Sequence, residues 1–312
     1  MSRTDDTPVH TPAPAPGRLR RWAARAALPA VALLGLSLAG SPVASETTEA
    51  AEGIPEAAEF EEYVAIGDSF TAGPLVVQQK APLLGCMQSD ANYPKMLAEQ
   101  LGVTELVDVS CSGAVVEDLY EAQFDDQPPQ LDSLTSDTDL VTIGIGGNDF
   151  GFADVMVECA KRSVTSPSGS PCADYYGDEL DERIEGLRAD IAGVFEDVAE
   201  RSPDATVLFV GYLQILPESD GCWPTVPISS GDVPYLDQAQ IDLNAMLEEE
   251  SAAHGATFVD VFERGHDACE PSDVRWVEGV IPENAAAPVH PNRAGMEATT
   301  DFVSGALEVP VP

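Results

Sequence analysis

The chain has 312 residues and a formal net charge of −39, from 54 acidic against 15 basic residues. Such an excess repels nucleic acid and anionic membrane surfaces, so neither is expected as a partner. With four histidines, six cysteines and no Cys-x-x-Cys spacing, neither a metal site nor any other cofactor is expected.

The first segment reads as a targeting signal. Arg18, Arg20, Arg21 and Arg25 form a basic stretch, residues 26–39 an apolar one, and Val43-Ala44-Ser45 offers small residues at a cleavage site. The apolar run is shorter than the roughly 20 residues a stable span needs, so cleavage by the general secretory route is expected over anchoring. Arg20-Arg21 raises the twin-arginine route, but Trp22-Ala23-Ala24 continues it poorly. Residues 1–45 are therefore read as a signal peptide, 46–60 as a flexible acidic lead-in and 61–312 as one domain. The product is expected to be secreted, extracellular and without stable membrane insertion. All six cysteines follow residue 45, and an even number in an exported chain favours three disulfides, whose pairing the spacing leaves open.

Apolar, β-rich runs predict strands at 63–66, 105–109, 140–145, 206–210 and 257–261. Between them, 93–101 starts a helix with Pro94 in its first turn. Residues 180–201 repeat Ile184, Leu187, Ile191, Val194, Phe195 and Val198 at helical spacing. A further helix over 236–254 ends before Gly255, and 294–303 reads as a terminal one. Strands alternating with helices imply βαβ units and a parallel sheet covered on both faces. Irregular segments remain near 74–90, 159–178 and 216–235, each holding one or two cysteines. Acidic runs such as 178–182 and 248–250 read as solvated helix faces, and the acidic excess fits adaptation to high salt.

The first strand breaks into Gly67-Asp68-Ser69-Phe70-Thr71-Ala72-Gly73, a tight turn at the end of a strand where catalytic groups collect in parallel sheets. Alone, such a serine is usually an ordinary turn residue. Downstream, however, stand Cys111-Ser112-Gly113-Ala114, then Gly146-Gly147-Asn148-Asp149, then His290-Pro291-Asn292. These four blocks, in this order over residues 63 to about 302, resemble the SGNH hydrolases, or GDSL-like lipase/esterase family. Asn92-Tyr93-Pro94 and the cysteine placement resemble its secreted actinobacterial branch.

The resemblance implies a three-layer α/β/α sandwich around a five-stranded parallel, flavodoxin-like sheet. It implies disulfides Cys86–Cys111, Cys159–Cys172 and Cys222–Cys269. It makes Ser69 the nucleophile, His290 its general base, and the Ser69 N–H, the Gly113 N–H and the Asn148 side-chain amide the oxyanion donors. Asp68 and Asp149 are read as structural groups within their turns, His254 as a helix end and His266 as an exposed loop residue. One departure is informative. Many family members carry an aspartate three residues before the histidine, where this chain has Ala287, and Glu283 is the nearest preceding carboxylate. A Ser–His dyad oriented by a backbone carbonyl near Ala287 or Pro288 is expected, with Glu283 folding back as the alternative. The absence of a Gly-x-Ser-x-Gly elbow argues against an ordinary α/β-hydrolase.

The function implied is a secreted serine lipase/esterase working through an acyl-enzyme on small-molecule or lipid esters, as a monomer. Phe70, Phe150, Phe152, Trp223, Val226 and Ile228 are candidates for an acyl groove. A polysaccharide acetyl esterase is the second enzymatic reading. A non-catalytic exported binding protein on the same scaffold is the third, disfavoured by the intact blocks.

Overall fold

The structure, a computed structural model, describes residues 60–77, 85–125 and 127–308. The segment read as a signal peptide and nearly all of that read as a lead-in lie outside the described residues. Five strands, β1 (Glu62–Gly67), β2 (Glu105–Asp108), β3 (Leu140–Gly144), β4 (Thr206–Val210) and β5 (Thr257–Val259), form one sheet. Its order is β2-β1-β3-β4-β5, and every neighbouring pair is parallel. Helices are α1 (Ser69–Ala72), α2 (Tyr93–Leu101), α3 (Gly147–Phe150), α4 (Phe152–Ser163), α5 (Ala173–Tyr176), α6 (Glu179–Arg201), α7 (Val233–Ala253) and α8 (Arg293–Glu308).

The chain winds outward in both directions from β1 and β3. Right-handed crossovers then place the helices on opposite faces of the sheet. Accordingly α2 packs with α8 on one face and α6 with α7 on the other, giving three layers. A parallel sheet covered on both sides needs strands that are apolar throughout. Tyr63, Val64, Ala65, Ile66, Leu140, Val141 and Ile143 in the two central strands are all fully buried. The apolar stripe foreseen in α6 is buried as well, from Ile184 through Val198.

The order reverses between β1 and β3, and the crevice at the carboxyl ends beside such a reversal is where open α/β sheets bind ligands. The turns carrying Ser69, after β1, and Asn148, after β3, meet there. The structure pairs Cys86 with Cys111, Cys159 with Cys172 and Cys222 with Cys269. One irregular stretch, 159–178, is more ordered than its composition suggests. Cys159 lies within α4, and α5 fills part of 159–178, because Cys172 docks beneath α7: Asp232 accepts the Cys172 and Ala173 N–H groups. Strand β5 stops at Val259, two residues early, because β4, its only neighbour, offers no partner beyond Val210.

Acidic side chains crowd the outer face formed by α6 and α7. There Arg188 is shared among Glu185, Glu249 and Glu250 at 2.7–3.2 Å, one cation for three carboxylates. Repulsion of this kind is screened as the Debye length shrinks from about 10 Å to about 3 Å on reaching molar salt. The thermal midpoint in sodium chloride should therefore rise steadily from low to molar concentration. A flat or falling midpoint would remove salt adaptation as the reason for the charge.

Candidate active site

Strand β1 delivers Ser69 through a turn held from three sides. The Asp68 N–H donates to the Gly144 carbonyl of β3 at 2.9 Å, joining the first and third strand ends. Asp68 caps α1, its Oδ1 accepting the Phe70 N–H at 2.8 Å, so Ser69 is the first residue of a one-turn helix closed by left-handed Gly73. Gln130 grips both polar groups of Gly67, accepting its N–H at 2.8 Å and donating to its carbonyl at 3.1 Å.

His290 arrives on a loop before α8. Its Nε2 lies 2.8 Å from Ser69 Oγ, and its Nδ1 lies 2.7 Å from the Pro288 carbonyl. A carbonyl can only accept, so Nδ1 must carry the hydrogen, leaving Nε2 free to accept from the serine hydroxyl. The backbone acceptor therefore dictates the tautomer needed for a general base. Glu283 does not fold back. It is exposed and pairs with Arg275 Nη2 at 2.6 Å, and among the described residues no carboxylate contacts either ring nitrogen.

The loop is rigid for reasons the sequence did not advertise. Residues 276–279 pair antiparallel with 289–292: the Glu278 N–H donates to the His290 carbonyl at 3.0 Å, and the Asn292 N–H to Trp276 at 2.8 Å. Beneath them the Glu278 carboxylate is fully buried. It accepts Asn292 Nδ2, Asn284 Nδ2 and the Glu283 N–H, each at 2.8 Å. Burial pushes its acidity one way, but these donors outweigh it and hold the carboxyl below its usual range. Asn292 also accepts the Gly295 N–H and so opens α8. Val289 adopts φ 59°, a strained conformation for a β-branched residue, immediately before the histidine.

Tyr212, just after β4, is a second group that sequence reading missed. Its hydroxyl donates to Asp68 Oδ2 and accepts the Gly147 N–H, both at 2.7 Å, tying the serine turn to the asparagine turn. Asn244 of α7 holds its backbone N–H and carbonyl at 3.0 Å each. A Cβ on Gly147 would strike the tyrosine ring at 2.9 Å, so the second glycine of Gly146-Gly147 is needed for this approach. Burial raises Asp68 to about 7, against the pull of the Tyr212 hydroxyl and the Phe70 N–H. Asp149 does not stay within its turn as expected; its carboxylate accepts the Val116 N–H, anchoring the segment after Gly113.

Gly113 has φ 84° on the turn steadied by the Cys86–Cys111 disulfide, and a Cβ there would meet only Gln123 Nε2, at 3.7 Å. Among the described residues neither its N–H nor that of Ser69 donates to a protein acceptor. Asn148 Nδ2 donates one hydrogen to the Ala114 carbonyl at 2.8 Å, which orients the amide and leaves its second hydrogen uncommitted.

Ser69, Asn148 and His290 line a cavity of about 320 Å³. Phe70, Phe150, Phe152 and Ile228 line it too, as foreseen, together with Met156, Val157, Ala160, Ile215 and Leu243. Trp223 and Val226 do not: the tryptophan is exposed on its loop, and the valine is buried in the core. Beyond Phe152, the α4 contribution was not foreseen, because 152–163 was not read as a helix. His254 caps α7 and stacks on Phe195, while His266, foreseen as exposed, stacks face to face on Trp276 at 3.8 Å. Both histidines sit outside the cavity lining.

Burial holds His290 below its usual value of 6.5, partly offset by the Pro288 bond. The neutral imidazole is the form able to accept a proton. The pH profile of kcat/KM should therefore be flat through neutrality and fall only on the acid side, with a midpoint below that of a free histidine. Glu283→Gln should leave kcat essentially unchanged, since that carboxylate faces Arg275. Tyr212→Phe should cost about 1–3 kcal/mol of stability in denaturant unfolding, by leaving buried partners unsatisfied, and lower kcat more than it raises KM.

Comparison with known proteins agrees over most of the chain. Residues 65–298 match the model of the GDSL-like lipase/acylhydrolase family. Lipase 2 of Streptomyces coelicolor is 39% identical over 245 residues, covering 75% of this chain and 81% of that protein. An esterase of Streptomyces scabiei is 29% identical over 323 residues, covering 88% and 91%. Among solved structures, phospholipase A1 from Streptomyces albidoflavus superposes with a TM-score of 0.67 at 26% identity, over 79% of this chain and 99% of that one. An extracellular lipase from Streptomyces rimosus gives the same score at 28% identity, over 79% and 99%.

Proposed function

The chain belongs to the GDSL-like lipase/acylhydrolase family and is an ester-hydrolysing enzyme, and from that premise we propose a secreted serine hydrolase that cleaves esters of apolar acyl chains. The observation that carries the reading is the 2.8 Å contact between Ser69 Oγ and His290 Nε2 at the floor of an apolar cavity. His290 Nε2 takes the serine proton as Oγ attacks the ester carbonyl carbon. The oxyanion so formed is met by the Ser69 N–H, the Gly113 N–H and the free hydrogen of Asn148 Nδ2. Collapse breaks the bond to the alcohol oxygen, which leaves with the proton held on Nε2. Water, deprotonated by the same nitrogen, then attacks the acyl-serine and releases the acid. Throughout, the Pro288 carbonyl holds Nδ1–H and steadies the imidazolium through a dipole rather than a full charge.

The cavity favours an acyl chain over a bare acetyl group. Its walls are mostly phenylalanine, methionine and aliphatic side chains; Gln240 and Tyr212 add polar groups, and among the described residues Asp68 is the only carboxylate, itself buried and engaged with Tyr212. This disfavours the polysaccharide acetyl esterase reading, which needs polar contacts for sugar hydroxyls. Export is supported by the basic-then-apolar start of the sequence and by the disulfides.

Ester hydrolysis across a series from acetyl to dodecanoyl, by wild type and Ser69→Ala, tests the reading. The rate should climb from acetyl toward medium chains, and the variant should lose at least about a thousandfold. Activity retained without Ser69 would end the serine mechanism, and a preference for acetyl would end the acyl-chain assignment. Asn148→Ala should lower kcat about a hundredfold with little change in KM, as expected for a donor engaged mainly in the transition state.

A further inference from the structure

Charge is unevenly distributed around the cavity mouth. In a chain carrying 69 charged side chains, residues 70–77 and 221–231 contain none, and 279–290 contains only Glu283 besides the histidine. Glu283 is paired with Arg275. These three segments lie together. The Ala287 N–H donates to the Pro74 carbonyl at 2.8 Å, and Gly279 sits against Thr225, where a Cβ would touch Cγ2 at 3.3 Å. The remaining wall, α4, carries Asp154 and Glu158, the latter paired with Lys161 and Arg162.

The same segments expose large apolar side chains. Ile281 is 80% exposed, Leu75 49% and Trp223 43%. Val157 and Val280 are each about half exposed while also lining the cavity, so the apolar wall continues without a break onto the outer surface. Leu75 is held at φ 63°, so its exposure is maintained against a backbone preference. Among the described residues, a rim this apolar, with Asp154 of α4 as its one unpaired charge, is not what solubility asks of a protein with a net charge of −39.

We propose that this rim docks the enzyme on the surface of an electrically neutral lipid aggregate, with Leu75, Ile281 and Trp223 entering the interfacial layer and the cavity mouth facing the acyl chains. The occupant follows from the charge. The acidic remainder of the molecule repels an anionic surface, whereas a neutral or zwitterionic one accepts apolar side chains with no such penalty. Tryptophan suits the boundary, having an apolar ring and a polar N–H. The inference rests on the acyl-ester reading above, and adds that substrate is drawn from a surface.

Binding is measured by co-sedimentation of Ser69→Ala protein, which leaves lipid intact, with phosphatidylcholine vesicles, alone or mixed with phosphatidylglycerol. The same protein carrying Leu75→Asn and Ile281→Asp is compared. Neither position lines the cavity, and asparagine tolerates the left-handed backbone at 75. Hydrolysis of a soluble short-chain ester by the two substitutions in the wild-type background controls for folding. The expected result is binding to phosphatidylcholine, weakened by phosphatidylglycerol at low salt, and reduced about tenfold or more by the two substitutions, with soluble-ester turnover unchanged. Equal vesicle binding by the substituted protein, no binding by its parent, or a preference for phosphatidylglycerol would overturn the proposal. So would substitutions that leave vesicle binding intact while dissociating a dimer, since the rim would then be a contact between copies. If the double substitution also abolishes soluble-ester turnover, Ile281→Asp alone decides by the same criteria. Failure of the serine reading itself is separate, and would show as soluble-ester activity surviving Ser69→Ala.

Discussion

The hydrogen bond from Ser69 to His290, 2.8 Å long across 221 residues of sequence, is the contact on which the rest of the site depends. It requires that the start of the sheet and the end of the chain be brought together with sub-ångström tolerance. It also requires that the imidazole present a bare nitrogen. The fold supplies the first condition through parallel topology: the crevice beside β1 and β3 is reached by the loop that enters α8. The Pro288 carbonyl supplies the second. An acceptor that cannot donate leaves one tautomer available, and a dipole does so without introducing a buried negative charge.

Holding that contact is the work of two buried polar assemblies, one on each side. Under the serine, Tyr212 joins Asp68 to Gly147 and so ties the nucleophile turn to the asparagine turn. Under the histidine, Glu278 satisfies donors from Asn284, Asn292 and the backbone and pairs its own N–H with His290. Buried networks of this kind specify a unique arrangement only when every member is satisfied, because an unpaired polar group in a low-dielectric interior is costly. All four oxygens of the two carboxylates are engaged.

Much of this was legible in the sequence, and what was not has a physical reason. The strands of a two-sided parallel sheet are apolar throughout, so β1, β3 and β4 could be read almost to the residue. The edge strand β5 could not, because its end depends on where its one neighbour stops. Ser69, Gly113, Asn148 and His290 stood in recognisable blocks, and Ala287 in place of a carboxylate pointed to a backbone acceptor. Tyr212 and Glu278 carried no local signal. A tyrosine after a strand and a glutamate in a loop are common, and their roles depend on partners no local pattern announces, Asp68 at 144 residues from the tyrosine and Asn292 at 14 from the glutamate. The cavity wall from α4 went unread, apart from Phe152, because the short, charge-interrupted segment 152–163 was not recognised as a helix.

A backbone carbonyl, with no carboxylate behind it among the described residues, sets the tautomer of His290, and burial keeps the ring neutral. Nitrogen-resolved magnetic resonance of the histidine ring at neutral pH, assigned by comparison with His290→Gln, tests it most directly. The expected result is a neutral imidazole protonated on Nδ1, with Nε2 showing the shift of an unprotonated acceptor and titrating only on the acid side of a free histidine. A ring protonated on Nε2, or one already charged at neutrality as if backed by a carboxylate, would contradict it.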